Sequence, residues 1–235
     1  MDDSETVFDS NPHIPESMIM YMDDDLLVVN KPAGLLSIQD GYDLQLPHLA
    51  TILEPLVGKV WIIHRLDKDT SGVMLLGRNA DTHRYFNEEF KKRSIEKYYH
   101  CLIAGNFNWE EMDVHSPLLK NADRLHRTRV NEFKGKAALT SFKVLQKFPN
   151  YTLVECQLFT GYTHQIRAHL FHLGLHLLGE TLYCRPSERP DKQNNYGLTR
   201  FGLHSRTISF KHSSNSKRMS FTALYPRDIA NLILI

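Results

Sequence analysis

A chain of 235 residues, 42% apolar and 23% charged, suits one large domain or two closely fused lobes around a packed core. No apolar run approaches the roughly 20 residues that span a bilayer, and no basic start leads into an apolar stretch, so integral membrane and secreted proteins are both disfavoured. The formal charge of +1 conceals an asymmetry: residues 1–25 hold eight acids (Asp2, Asp3, Glu5, Asp9, Glu16, Asp23, Asp24, Asp25) and no Lys or Arg, which leaves 28 basic against 19 acidic residues in 26–235. That excess suits a polyanionic partner, although an ordinary solvated surface carries similar charge. Three cysteines (Cys101, Cys156, Cys184) form no CxxC pair, the usage expected of reduced thiols in a cytoplasmic protein.

In chain order, residues 1–20 are acidic and broken by Pro12 and Pro15, which predicts a loosely ordered arm ahead of a single domain over 21–235. Leu26 to Val29 reads as a buried strand, closed by the turn-forming Asn30-Lys31-Pro32-Ala33-Gly34. A short helix is expected over 48–56. Val60 to Ile63 and Val73 to Leu76 read as strands flanking a polar loop. Residues 81–93 are helical, with Phe86 and Phe90 on one face and Arg84, Glu88, Lys91 and Lys92 on the rest. Tyr98 to Ala104 is a strand, and 139–145 with 151–159 a hairpin turned at Pro149-Asn150. His164 to Leu173 is helical and stops at Gly174. Residues 185–200 read as a loop, Thr207 to Lys211 as a strand, and a short helix follows Pro226. Strands outnumber helices without regular alternation, which favours an α+β fold over a doubly wound parallel sheet.

Several familiar motifs are absent: no GxGxxG, no GxxxxGK[ST], no GxSxG and no HExxH. The most distinctive stretch is His64-Arg65-Leu66-Asp67-Lys68-Asp69-Thr70-Ser71-Gly72. Thr70, Ser71 and Gly72 read as turn residues able to fix a neighbouring side chain. A carboxylate held beside a cation acts as nucleophile or base, whereas a plain surface turn would carry the same residues as solvated charge. In a second cluster, Thr160 to Leu170, Thr163 is placed to cap the helix and Arg167 lies about one turn inside it. Arg167 suits a bidentate pair with a carboxylate such as Asp67, or a purely structural ion pair. His169, His172 and His176 share a helical face, but the spacing resembles no compact ligand set, and no metal is expected. A third cluster, 120–136, holds six cations (Lys120, Arg124, Arg127, Arg129, Lys134, Lys136) in a loop-like stretch suited to phosphates or simply to water.

Residues 64–72 match the HRLDxxTSG signature of the RluA-type RNA pseudouridine synthases, and further segments agree in order. Asn30 to Leu35 resembles the family's NKPxGL motif, Lys97-Tyr98-Tyr99 its KxY strand, 160–170 its TGRTHQIRxHL segment, and Leu203-His204 with Ile208 to Lys211 its closing LHAxxLxF segment. The resemblance spans roughly 22–225 and includes no S4 RNA-binding domain. It implies a mixed, mainly antiparallel central sheet with flanking helices and an RNA cleft across it. It also implies isomerisation of uridine without cofactor or metal, on a ribosomal or transfer RNA stem-loop, with ribosomal RNA ahead; a monomer is the default expectation.

On the same resemblance Asp67 is the catalytic aspartate, acting at the ribose either on C1′ or by taking a ribose proton. Tyr99 is the tyrosine that stacks on the base and helps remove the C5 proton, and Arg167 the arginine that pairs with the aspartate. Arg65 would fill the gap left by the flipped nucleotide. His64, Thr70, Lys120, Arg124, Arg127 and Arg129 are the further RNA-binding candidates, with Arg78, Arg84 and Lys91 as weaker phosphate contacts. Three departures stand out: Tyr162 where the family usually has Arg, His100-Cys101 in place of an aliphatic-Ala pair, and Ser205 in place of Ala. Two other readings stay open, a hydrolytic glycosidase using Asp67 with Asp69 and a non-catalytic RNA-binding protein that keeps the fold.

Overall fold

The computed structural model describes residues 15–189 and 195–234. A 3-10 turn over Pro15–Met18 leads into β1 (Ile19–Met22), β2 (Leu26–Lys31), α1 (Leu49–Val57), β3 (Trp61–Ile62), β4 (Ser71–Gly77), α2 (Ala80–Lys92) and β5 (Glu96–Ala104). Next come β6 (Glu111–Val114), β7 (Leu118–Leu119), β8 (Arg129–Val130), β9 (Thr140–Lys147), β10 (Tyr151–Leu158) and α3 (Gln165–His172). β11 (Leu203–Lys211), β12 (Arg218–Thr222) and α4 (Arg227–Ile233) complete the described elements.

One large sheet runs β1-β2-β4-β11-β5-β10-β9-β6, with β3 joined to β4 and β12 to β11. Every pairing in it is antiparallel except β4 with β11, where Ser71 and Gly72 lie beside His204 and Ser205. This is the α+β architecture with a mixed, mainly antiparallel sheet. β2 and β4 read as unbroken apolar runs because both faces are covered. Leu27, Val29, Met74 and Leu76 join Leu49 and Leu53 of α1 and Ile166 and Leu170 of α3 on one face. Leu26, Val28, Val73 and Leu75 meet Phe86 of α2 on the other. α4 closes a third cluster with Leu102, Tyr151 and Leu153. Among the described residues no helix is long and apolar enough to cross a membrane.

Four expectations need correction. Of the loose arm, residues 1–14 lie outside the described residues, but Met18 is buried and β1 is hydrogen-bonded to β2 from Ile19 on, so order begins at Pro15. Ser71 and Gly72 are the first residues of β4, not of a turn. Gly72 sits at φ +114°, and a Cβ there would stand 2.2 Å from the Ser205 carbonyl oxygen, so the parallel contact with β11 demands glycine. The stretch 120–136 is not wholly a loop, because β7 and β8 pair within and beside it. Thr163 does not cap α3: His164 holds the cap in a left-handed conformation with no side-chain bond, and the helix begins at Gln165. The buried Gln165 amide does the pinning instead, accepting from Tyr162 N–H and the Thr160 hydroxyl and donating to Leu139 O and Thr140 Oγ1. That places Arg167 in the first turn of α3. Of the 185–200 loop, 190–194 lie outside the described residues, and Pro186–Glu188 forms a 3-10 turn.

Candidate active site

The loop ahead of β4 is clamped at each residue from Leu66 to Thr70. Ser37 Oγ donates to Leu66 O at 2.7 Å and accepts Leu66 N–H at 3.0 Å. Lys31 is fully buried, and its ammonium donates to Pro32 O, Leu35 O and Lys68 O at 2.8, 2.7 and 3.0 Å. Burial, helped by the Arg200 charge, pushes the Lys31 pKa down to about 7. Arg200 donates to Asp69 O at 2.9 Å and to Ser71 Oγ at 3.2 Å, and is itself held by Asp228. His204 Nε2 faces the Ala223 carbonyl at 3.4 Å, so it carries the ring proton, and Nδ1 accepts from the Ser71 hydroxyl at 2.9 Å. Thr70 N–H closes a turn onto Asp67 O at 3.1 Å. With the backbone fixed on both sides of residue 67, the Asp67 side chain is aimed rather than floppy.

It projects into a narrow cavity of about 60 Å³ lined by Arg65, Asp67, Thr70, Tyr99, Tyr162, His164, Arg167 and apolar neighbours such as Leu158 and Leu203. Asp67 is the one carboxylate in that lining. Arg167 Nη1 donates to its Oδ2 at 3.3 Å. The bidentate fork of Arg167, however, belongs to Glu180, with Nε to Oε2 at 2.7 Å and Nη2 to Oε1 at 2.9 Å. This corrects the expected bidentate pairing with Asp67. Glu180 Oε1 also accepts the N–H groups of Thr181, Leu182 and Tyr183. The guanidinium lies over the rings of Phe201 at 4.2 Å and Tyr183 at 4.9 Å. Burial disfavours both charges, yet their mutual hydrogen bonds outweigh it, holding the Glu180 pKa below and the Arg167 pKa above the ordinary value. Arg167 is thus locked by Glu180 and offers Asp67 one spare N–H.

On the other oxygen, His164 Nε2 lies 3.7 Å from Asp67 Oδ1. The Tyr183 hydroxyl accepts Thr128 N–H at 2.7 Å and meets His164 Nδ1 at 3.0 Å. Burial lowers the His164 pKa, in keeping with a neutral ring. No hydrogen bond engages Oδ1 among the described residues. Tyr99, on β5, is buried against this pocket. Burial pushes its phenol up to about 12, with the Asp67 charge adding and a Ser205 hydrogen bond opposing, so the resting hydroxyl is protonated.

The structure therefore brings Asp67, Tyr99, Arg167, Arg65 and Thr70 to one cavity, with Arg65 exposed at its edge. The others are elsewhere. His64 turns inward: its Nε2 accepts Leu75 N–H at 3.0 Å, and its ring lies 5.1 Å from that of Phe90. Burial, with nearby Lys97, pushes its pKa down to about 3, so it is a neutral, committed ring and a poor RNA contact. Lys120 and Arg124 are exposed and away from the cavity. Arg127 is committed to Asp123 at 2.7 Å and to Leu182 O at 3.2 Å, while the more exposed Arg129 reaches the same Asp123 at 3.7 Å and lies 6.0 Å over the Phe171 ring. Thr128 between them reaches the site through Tyr183. His169 spends both nitrogens on Thr140 Oγ1 and Ser116 O.

Glu180, Ser37 and Arg200 were not anticipated. Glu180 alone carried a signal, as the one acid between Glu155 and Glu188, set within Leu177-Leu178-Gly179-Glu180-Thr181-Leu182. An acid in so apolar a run is rarely buried without a cation.

Residues 25–172 match the family model described as RNA pseudouridylate synthase. The chain is 33% identical over 212 residues to ribosomal large subunit pseudouridine synthase C of Vibrio cholerae, a match that takes in 88% of this chain and 65% of that protein. It is 32% identical over 239 residues to ribosomal large subunit pseudouridine synthase D of Buchnera aphidicola, covering 94% of this chain and 75% of the relative. The chain thus spans a little under two thirds of the length of the first of these relatives. Among solved structures, human RNA pseudouridylate synthase domain containing 1 superposes with a TM-score of 0.74 at 24% identity, over 91% of this chain and 85% of that one, a likeness of fold. With a matching model over most of its length and a pinned aspartate loop at the mouth of the cavity, the chain belongs to the RNA pseudouridylate synthase family.

Proposed function

We propose that the chain is a pseudouridine synthase acting in the cytoplasm, as a monomer, on uridine in ribosomal RNA. The observation that carries the reading is a single pinned carboxylate, Asp67, with one oxygen held by Arg167 and the other uncommitted. The names of the relatives support the ribosomal substrate.

The reaction is an isomerisation. The N1–C1′ bond breaks, a C5–C1′ bond forms, a proton leaves C5 and one ends on N1, so no oxidant or added group is required. Oδ1 of Asp67 is the oxygen free to act at the ribose as the glycosidic bond opens, whether on C1′ or on a ribose proton. Arg167 stabilises the carboxylate without occupying Oδ1, because Glu180 holds its fork. Tyr99 serves first as a buried ring against the base. Its protonated phenol takes the C5 proton only after passing on its own. Arg65, exposed at the mouth, is placed to stack in the space that an extruded uridine leaves.

A glycosidase needs two carboxyl groups opposed across the substrate, about 5–9.5 Å apart. This cavity offers one, while Asp69 lies outside the lining with its carbonyl tied to Arg200.

The test is pseudouridine mapping by carbodiimide-dependent primer extension on total RNA from a strain lacking the gene. Complementation uses wild type and Asp67→Asn, the latter checked for RNA binding within about threefold of wild type. A site lost in the deletion and restored by wild type alone is expected. Restoration by Asp67→Asn, or no lost site in any RNA, would overturn the proposal.

A further inference from the structure

Beside the Asp67 pocket lies a second, larger cavity of about 580 Å³, and Tyr162 lines both. Its other walls include Phe90, Lys91, Arg93, Lys97 and Phe159, and no carboxylate is among the lining residues.

Lys97 is the unusual member. It comes from β5, two residues before Tyr99, and is only 9% exposed. Among the described residues no oxygen accepts from its ammonium and no acid pairs with it. Its neighbours are the Phe90 ring, 5.5 Å from the nitrogen, and Gly161, where a Cβ would stand 3.5 Å from that nitrogen. Burial lowers its pKa to about 8. A desolvated cation with no anion is an unfavourable arrangement unless a ligand supplies the charge. Arg93 ends α2 in a left-handed conformation, and its guanidinium has no acid partner among the described residues. Phe159 is 39% exposed, and the Tyr162 backbone is fixed by Gln165 at 3.1 Å. Arg93 and Thr160 also line a third cavity of about 360 Å³ toward 135–139, so the second and third cavities lie side by side.

Lys91 is spent on Glu88, but Lys97 and Arg93, unpaired beside aromatic residues with no carboxylate in the lining, suit a ligand with a phosphate and a flat ring. We infer that this cavity is the subsite for the nucleotide directly adjoining the target uridine, with its phosphate at Lys97 and Arg93 and its base against Tyr162. The inference rests on the proposed RNA reaction, and Tyr162 then forms the partition between the reacting uridine and its neighbour. The neighbouring cavity, lined by His115 and Arg93, would take the strand beyond it.

The test uses the Asp67→Asn form and a fluorescein-labelled pentanucleotide AAUAA, whose single uridine fixes the register. Two further strands carry an abasic residue just 5′ or just 3′ of the uridine. Tyr162→Ala is expected to weaken binding of the intact strand about tenfold, the scale of one lost base stack, while Tyr162→Phe retains it. The penalty should vanish on one abasic strand and persist on the other, which also reports strand direction. Lys97→Met, which keeps the apolar stem, should flatten the dependence of log affinity on log salt by about 0.7. Competition by free AMP at the strand's own affinity would instead mark a mononucleotide site and overturn the inference. So would binding within twofold of the parent for both Tyr162→Ala and Lys97→Met, or an equal penalty on both abasic strands. If wild type forms no pseudouridine in any cellular RNA while the Tyr162-dependent step is present, the subsite stands and the isomerase reading falls. If pseudouridine forms and the step is absent, the reverse holds.

Discussion

Glu180→Gln changes one oxygen to nitrogen, yet it should be among the most damaging substitutions in the chain. Five N–H groups converge on this carboxylate: Nε and Nη2 of Arg167, and the backbone donors of Thr181, Leu182 and Tyr183. An amide has one acceptor, so whichever way it turns, its NH₂ group meets donors. The Glu180 side chain is 1% exposed and that of Arg167 is 6% exposed, so water cannot take over. Breaking a buried pair costs about 3–5 kcal/mol, and the remaining Asp67 contact argues for the lower end, about 3 kcal/mol. At roughly 2–4 °C per kcal/mol for a chain of this size, the melting temperature should fall by about 6–12 °C. Arg167, freed from its fork, then draws on Asp67, and a displacement on the order of 1 Å at the reacting carboxylate costs kcat about 100-fold. Calorimetry and single-turnover rates on an RNA carrying the mapped site would measure both. Melting within about 2 °C of wild type, together with kcat within about threefold, would refute the claim that Glu180 holds Arg167 in place.

Gly72→Ala should fail to accumulate as folded protein, since its Cβ would meet the Ser205 carbonyl at 2.2 Å; soluble yield and circular dichroism check this, and a well-folded variant would contradict the close approach of β11. Acid should unfold the chain early. His204 is fully buried and its pKa is pushed down to about 3 by burial, so the unfolded state binds more protons between the ordinary value of 6.5 and that point. Stability is therefore intact above pH ~6.5 and drains away as pH falls toward ~3, by about 3 kcal/mol from this ring at pH ~4. Urea titrations of wild type and His204→Asn across that range should show the variant less pH-dependent; parallel curves would assign the acid sensitivity elsewhere.

How far the sequence reached depended on the range of the interaction. Strands buried on both faces, such as Leu26–Lys31 and Ser71–Gly77, were visible as apolar runs, and α2 as an amphipathic period. The two-residue strands β7 and β8 carry no period at all. β12 carries one, in its alternating Met219 and Phe221, which went unread. In the site, Asp67, Tyr99 and Arg167 came from the family motifs and are brought to one cavity. Which acid claims the fork of Arg167 is a matter of rotamer and burial, and local pattern cannot choose Glu180 over Asp67. His64 looked like a cleft residue because its neighbours are. Its ring turned inward because Leu75 N–H needed an acceptor and Phe90 a partner. Tyr162 in place of the family's arginine stood out in the sequence only as a departure, and in the fold it lines two neighbouring cavities.

The lone parallel contact in the sheet has a consequence for when the site comes into being. Asp69 and Ser71 are held by Arg200 and His204, some 130 positions later in the chain. Contacts of such long sequence separation form only after a large loop has closed, which makes them late events. During synthesis, a chain that has emerged only to 190 has its strands β2 and β4 complete but its aspartate loop clamped on one side alone. The proposed reaction therefore requires the chain beyond Arg200, and a fragment ending before it, which also lacks β11 between β4 and β5, should lose both the continuity of the sheet and the reaction.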